Sequence, residues 1–212
     1  MGARKSLETS IKILLFFRLI ILLGKMRGKY EALMQPIGKR VGSSGISPNV
    51  LTTFSLMLAV GAGVVYASRL PLLGAAGIVA SGVVDMLDGA VARATHTASR
   101  FGAVYDHTLD RYAELFVLVG IGLGGFADWV WIIFCLFGMI MASFVRAKAE
   151  SVGGLKSCNV GIAERQEKLI ILLIGSMLQP FVPIALVASV IVVGVLSHVT
   201  VAQRLMYTYN HT

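Results

Sequence analysis

The sequence predicts an all-α polytopic membrane protein with six transmembrane helices, preceded by an N-terminal interfacial amphipathic helix. Its 212 residues are 56% hydrophobic and only 14% charged, with a mean hydropathy of +0.79, whereas a soluble domain carries about 25% charged residues. The apolar residues fall into long uncharged runs, and the basic residues behind the net charge of +8 gather between alternate runs. A nucleic-acid-binding protein explains the charge but not the hydropathy, so no nucleic-acid partner is expected. With 23 Gly, 5 Pro and 2 Cys, the composition also excludes collagen-like, disordered and disulfide-scaffold classes. At ~20 residues per span, the chain has room for about six spans and little else.

Taken in order, the first apolar stretch, Ile11–Leu23, is interrupted by Lys12 and Arg18. It is too short and too basic to span easily and is expected to lie on the membrane surface. It has no small-residue cleavage site, so a cleavable signal peptide is not expected. Leu51–Ser68 is the first span and Leu70–Val84 the second, running on into charge. Leu115–Ala127 is the third, entered from a charged stretch, and Trp129–Val145 the fourth. Leu169–Ser197 has 29 uncharged residues, about 43 Å of helix at 1.5 Å per residue. That exceeds a ~30 Å hydrocarbon core, and Gln179-Pro180-Phe181-Val182-Pro183 supplies the turn that divides it into two spans. The expected organisation is a cytoplasmic basic segment over 1–47, a six-helix domain over 48–204 and a cytoplasmic tail over 205–212.

Charge orients this layout. Nine of the 19 Lys/Arg precede the first span, and placing that end in the cytoplasm puts 18 of the 19 there, with Arg69 alone outside. The positive-inside rule then gives cytoplasmic N- and C-termini. Trp129 and Trp131, at the outer end of the fourth span, read as interfacial anchors. Cys135 and Cys158 fit no metal-binding spacing, and no disulfide between them is expected.

Four of the 11 acidic residues cluster at the cytoplasmic ends of the second and third spans: Asp85, Asp88, Asp106 and Asp110. On a 3.6-residue period Asp85, Asp88, Gly89, Ala92 and Arg93 share one stripe, and Gly102, Asp106 and Asp110 share another. The short connection makes these helices antiparallel neighbours whose stripes can face each other. Charged side chains at the bilayer centre cost ~2.5–3.5 kcal/mol each, so four would cost about 10–14 kcal/mol, and less near the interface. Four like charges also repel unless cations intervene. Hard divalent ions suit oxygen ligands, and paired ions are a common device in phosphate chemistry. Gly89 and Gly102 leave room beside the carboxylates for a bulky ligand, and Arg93 can neutralise a diphosphate. A divalent-cation transporter or proton relay is the competing class, though the short chain has no broken-helix inverted repeat.

The same residues spell Asp85-x2-Asp88-Gly89-x2-Ala92-Arg93-x8-Gly102-x3-Asp106-x3-Asp110. This resembles, without departure, the motif of the CDP-alcohol phosphotransferases, and Pro48-Asn49-Val50-Leu51-Thr52 at the start of the first span is also similar to that family. The resemblance implies a homodimeric six-helix membrane enzyme that displaces CMP from a CDP-linked lipid with a second alcohol. It implies two ions per active site, Mg2+ or Mn2+. Asp85, Asp88 and Asp106 would hold one, Asp85, Asp106 and Asp110 the other, and Asp110 would deprotonate the acceptor. Pro48, Asn49, Val50, Leu51, Gly89, Arg93 and Ser99 would contact the CDP moiety.

Five basic residues, Arg146, Lys148, Lys156, Arg165 and Lys168, crowd the loop after the fourth span. A neutral acceptor needs no such cluster, whereas a phosphorylated one does. Arg146-Ala147-Lys148-Ala149-Glu150 and Gly161-Ile162-Ala163-Glu164-Arg165-Gln166-Glu167-Lys168 resemble the branch of the family that uses inositol 1-phosphate. Its products are phosphatidylinositol phosphate or archaetidylinositol phosphate. By that resemblance Arg146, Lys168 and Arg204 bind the acceptor phosphate, with Arg146 and Lys168 exchanging Lys and Arg relative to the branch, and Arg165 is an additional candidate. Glycerol 3-phosphate as acceptor, or di-inositol phosphate phosphate synthesis from CDP-inositol, are the enzyme alternatives. His107 faces about 100° away from Asp106 on a helix and is not expected as a ligand. His96, in the connecting loop, can approach a substrate, but nothing in the sequence requires it.

Overall fold

The computed structural model describes residues 27–212, so the surface helix expected over Ile11–Leu23 lies outside the described residues. Seven helices and no strand are found among them: α1 (Arg27–Ser43), α2 (Pro48–Ala67), α3 (Pro71–Ala94), α4 (Arg100–Leu123), α5 (Trp129–Ser151), α6 (Arg165–Leu178) and α7 (Ala185–His211). The all-helical class matches the expectation. Two boundaries differ from it. α1 was not foreseen, because Gly28, Pro36, Gly38 and Gly42 depress its helical signal. α7 runs on to His211, so residues 205–212 continue the last helix instead of forming a separate tail.

Local chemistry sets the helix starts. Pro48 and Pro71 stand in the first turns of α2 and α3, where a missing N–H costs nothing and the fixed φ is already helical. Ser99 caps α4, its hydroxyl accepting from the Gly102 N–H at 2.9 Å. The expected break within Leu169–Ser197 is present, and Gln179 ties it. Its Nε2 donates to the Pro183 carbonyl and its Oε1 accepts from the Leu186 N–H, both at 2.9 Å.

Four helices, α2, α3, α5 and α7, are long and apolar enough to cross a membrane. α4 has the length but carries Asp106, Asp110, Arg111 and Glu114 within its first two-thirds. α6 has 14 residues, about 21 Å of helix at 1.5 Å per residue. Outward-facing Val64, Leu73, Val130, Ile133 and Phe137 are each more than half exposed. Apolar surface on that scale needs a lipid environment, and the protein is an integral membrane protein.

Without water to drive helices together, small residues and internal hydrogen bonds do the packing. α2 and α4 cross where Gly63 meets Gly120 backbone to backbone; a Cβ on Gly120 would run into the Gly63 main chain. α2 and α3 are joined by Ser55 and Ser81, each donating to the other's carbonyl at 2.9 Å. Tyr66 on α2 and Ser176 on α6 share a buried hydrogen bond of 2.5 Å. His198 on α7 bonds the Phe134 carbonyl of α5 at 3.1 Å and stacks on its ring at 4.5 Å. α1 reaches the C-terminal half of α3 through Gly38 against Ala90 and Gly42 against Thr95.

The close α2–α4 crossing predicts an asymmetric response to two glycine substitutions. Gly120→Leu forces the helices apart and should cost more than the ~1–3 kcal/mol of ordinary overpacking, read as a drop in the detergent-solubilised melting temperature. Gly61→Leu, whose side chain enters open space, should leave that temperature unchanged.

Candidate active site

α3 ends and α4 begins at the same end of the bundle, joined by Thr95–Ser99. This hairpin brings the two aspartate stripes face to face. Ligand oxygens of Asp85, Asp88 and Asp106 all lie within 4.8 Å of one another. Three carboxylates converging at that spacing form a hard-oxygen donor set of the kind that binds divalent cations. A second group also closes within 4.8 Å, made of Asp106, His107 and Asp110. His107 was not expected there: its side chain is exposed, but Nδ1 lies 3.7 Å from Asp106 Oδ2.

Each carboxylate has its own setting. Asp88 is 7% exposed and accepts a 2.6 Å hydrogen bond from the Thr52 hydroxyl of α2. Thr52 sits one turn into α2 from Pro48, whose carbonyl is 3.1 Å away. Asp110 is equally buried; Arg165 Nη2 is 2.7 Å from its Oδ1 and Arg111 Nη2 3.8 Å from its Oδ2. Asp85 accepts a 2.6 Å hydrogen bond from Arg165 Nη1. Glu114, one turn beyond Asp110, is 4% exposed and pairs with Arg111 at 2.8 Å. Sequence reasoning missed Thr52, Arg111 and Glu114 as parts of the site. The signal for Glu114 was present, since Asp106, Asp110 and Glu114 repeat at four-residue spacing on one helix face.

Several residues expected near the CDP moiety come together. Gly102 lies beside the Ser99 hydroxyl and the Asn49 side chain, and Gly89 lies beside the Arg93 guanidinium. Tyr105 reaches back to Thr53 at 2.9 Å, fastening the start of α4 to α2. Pro48 and Asn49 are half-buried at the head of α2. Val50 and Leu51 are placed differently: Val50 is 58% exposed, and Leu51 is buried in the core.

The basic residues of the α5–α6 region divide into two sets. Arg165 faces the carboxylates, with Asp85, Asp110 and Glu114 around its guanidinium. Lys168, three residues further along α6, is buried. Arg204 donates from Nε to the Val160 carbonyl at 2.8 Å and from Nη1 to the Ala142 carbonyl at 2.5 Å. Arg146 pairs with Glu150 at 3.2 Å, and Glu150 also accepts the Cys158 N–H at 2.9 Å. Both arginines therefore also hold the loop between α5 and α6 in place.

A sequence model of the CDP-alcohol phosphatidyltransferase family matches residues 45–209. The archaetidylinositol phosphate synthase of Methanothermobacter thermautotrophicus is 36% identical over 190 residues, spanning 89% of this chain and 95% of that protein. Crystal structures of the Mycobacterium tuberculosis phosphatidylinositol phosphate synthase share the fold at a TM-score of 0.75 and 29% identity. One, with CDP-DAG bound, matches over 84% of this chain and 94% of its own; another, with manganese and citrate, over 83% and 88%. With its aspartate hairpin, its helical membrane fold and a family match over most of its length, this chain belongs to the CDP-alcohol phosphatidyltransferase family.

Proposed function

We propose that this membrane enzyme transfers the lipid phosphate group of a CDP-linked lipid, CDP-archaeol or CDP-diacylglycerol, to inositol 1-phosphate and releases CMP. The observation that carries the reading is the convergence of two aspartate stripes on the half-buried Arg165, on a chain whose α5–α7 region also brings the basic residues Arg146, Lys168 and Arg204. A donor diphosphate and an anionic acceptor need those two kinds of partner. The names of the relatives, one an archaetidylinositol and others a phosphatidylinositol phosphate synthase, support the same acceptor.

In this reading Asp85, Asp88 and Asp106 hold one Mg2+ or Mn2+, and Asp85, Asp106 and Asp110 a second. When bound, the ions neutralise the diphosphate and stabilise the departing CMP phosphate. Asn49, Ser99 and the Gly102 backbone line the approach of the CDP group to α4, and Arg93 faces its phosphates across Gly89. Lys168, Arg146 and Arg204 orient the acceptor phosphate. Asp110 takes the acceptor hydroxyl proton as the new oxygen–phosphorus bond forms and the bond to CMP breaks. Six helices, α2–α7, cross the membrane in a homodimer, with both termini and the active site on the cytoplasmic side.

Four sets of measurements test this. CMP release from CDP-lipid with Mg2+ should be fastest with inositol 1-phosphate, and slower with free inositol, glycerol 3-phosphate or serine. Asp110→Asn should abolish it, and proteoliposomes should show no Mn2+ flux; flux without CMP release would instead make the protein a transporter. Thr52→Val removes the hydroxyl that holds Asp88, and losses of this type cost about 10–100-fold in metal affinity or activity. The metal concentration for half-maximal rate should therefore rise while the KM for acceptor stays fixed. For orientation, Ser68→Cys should react with an impermeant maleimide on intact cells and Thr212→Cys only after lysis. The reverse pattern would overturn the assignment.

A further inference from the structure

Arg165 opens α6, far along the chain from the aspartates, yet its fork lies between two of them. Nη1 is 2.6 Å from Asp85 Oδ2 and Nη2 2.7 Å from Asp110 Oδ1, so one planar cation bridges a carboxylate of α3 to one of α4. Behind it Nε faces Glu114 Oε1 at 3.9 Å. Glu114 is ion-paired to Arg111 at 2.8 Å, with no well-aligned hydrogen bond to either oxygen. A buried carboxylate in that state has a strong demand for positive charge, which keeps the guanidinium drawn inward.

Charge counting gives the arrangement a consequence. Asp85, Asp88, Asp106, Asp110 and Glu114 meet the cations of Arg111 and Arg165, which leaves three negative charges uncompensated. One divalent ion leaves the site within one charge of neutral. A second would make it net positive, unless a diphosphate arrived with it. The geometry agrees with the counting. Asp85, Asp88 and Asp106 keep ligand oxygens within 4.8 Å of each other with Arg165 in place. A cation shared by Asp85 and Asp110 would instead compete with the guanidinium that bridges Asp85 Oδ2 and Asp110 Oδ1.

We propose that Arg165, backed by Glu114, is a built-in counter-cation that makes the second divalent-ion site conditional on the donor. The resting enzyme binds one ion through Asp85, Asp88 and Asp106. The second enters with the diphosphate of the CDP-lipid, as Arg165 yields its place between Asp85 and Asp110. The function of Arg165 is thus to hold the two aspartates ready and to prevent a fully loaded metal site from forming without substrate. This inference rests on the two-ion reading given above.

The test is a Mn2+ titration of the full chain in lipid nanodiscs, with free ion followed by its paramagnetic resonance signal. The wild type should bind one tight ion alone and two when CDP-lipid is added without acceptor. Arg165→Gln should bind two without donor, its second ion tighter than in the wild type by at least about tenfold, because a positive charge beside the site is gone. Arg165→Lys keeps the charge and should remain at one ion, which also separates the effect from misfolding. Two equally tight ions in the donor-free wild type, or a single ion in Arg165→Gln, would overturn the counter-cation role and leave the metal reading standing. No tight ion in any form would overturn both.

Discussion

Carboxylates placed on membrane-spanning helices must be met by positive charge or hydrogen-bond donors, and the rest of this structure is organised around that requirement. The low dielectric that makes a bare aspartate costly also strengthens every partner supplied to it. Partners come from each direction: the Thr52 hydroxyl from α2, Arg111 from α4 itself and Arg165 from the first turn of α6. The site lies at helix ends, where long basic side chains can reach it while their stems stay in apolar surroundings. Placed deeper, the same carboxylates would be beyond the reach of Arg165 at the start of α6.

This requirement accounts for packing that has no chemistry of its own. For Thr52 to reach Asp88, α2 must run close to α3, and the reciprocal Ser55–Ser81 bonds hold it there. For Asp106 and Asp110 to face α3, α4 must approach α2 closely as well, and Gly63 against Gly120 permits that approach. Tyr66 to Ser176 then secures α6 to α2, which fixes the helix that begins with Arg165. Small residues and internal hydrogen bonds far from the carboxylates thus set the distances within the site.

The features visible in the sequence are those written in short-range spacing. The aspartate stripes follow from three- and four-residue intervals, the helix starts from Pro48 and Pro71, and the α6–α7 turn from Pro180 and Pro183. Glu114 continued the Asp106–Asp110 interval but looked like the start of an apolar span. The direction of Arg165 could not be read, because a basic residue between two apolar runs has the same appearance whether it faces an acceptor phosphate or a carboxylate on another helix. Arg204 presents the same ambiguity: its two carbonyl partners, Val160 and Ala142, are far from it in sequence. α1 was hidden for the opposite reason, since the glycines that let it sit against α3 also weaken its helical pattern.

The loop-holding bonds of Arg146 and Arg204 bear on the choice of acceptor. A guanidinium has five N–H donors, and Arg146 gives Nε to Glu150 while Arg204 gives Nε and one Nη1 hydrogen to carbonyls. In each, the outer nitrogens retain donors beyond these bonds. A side chain already fixed by its stem-side donors loses little further freedom when it binds an anion. Flexible surface lysines would forfeit more entropy for the same contact. In the proposed reading, the two anchored arginines and the buried Lys168 form a receptor whose ordering cost is met in folding. A neutral polyol would gain little from that positive field, whereas a phosphate is matched to it in both charge and geometry. Preorganisation, more than the number of basic residues, is therefore the stronger argument that the acceptor is phosphorylated.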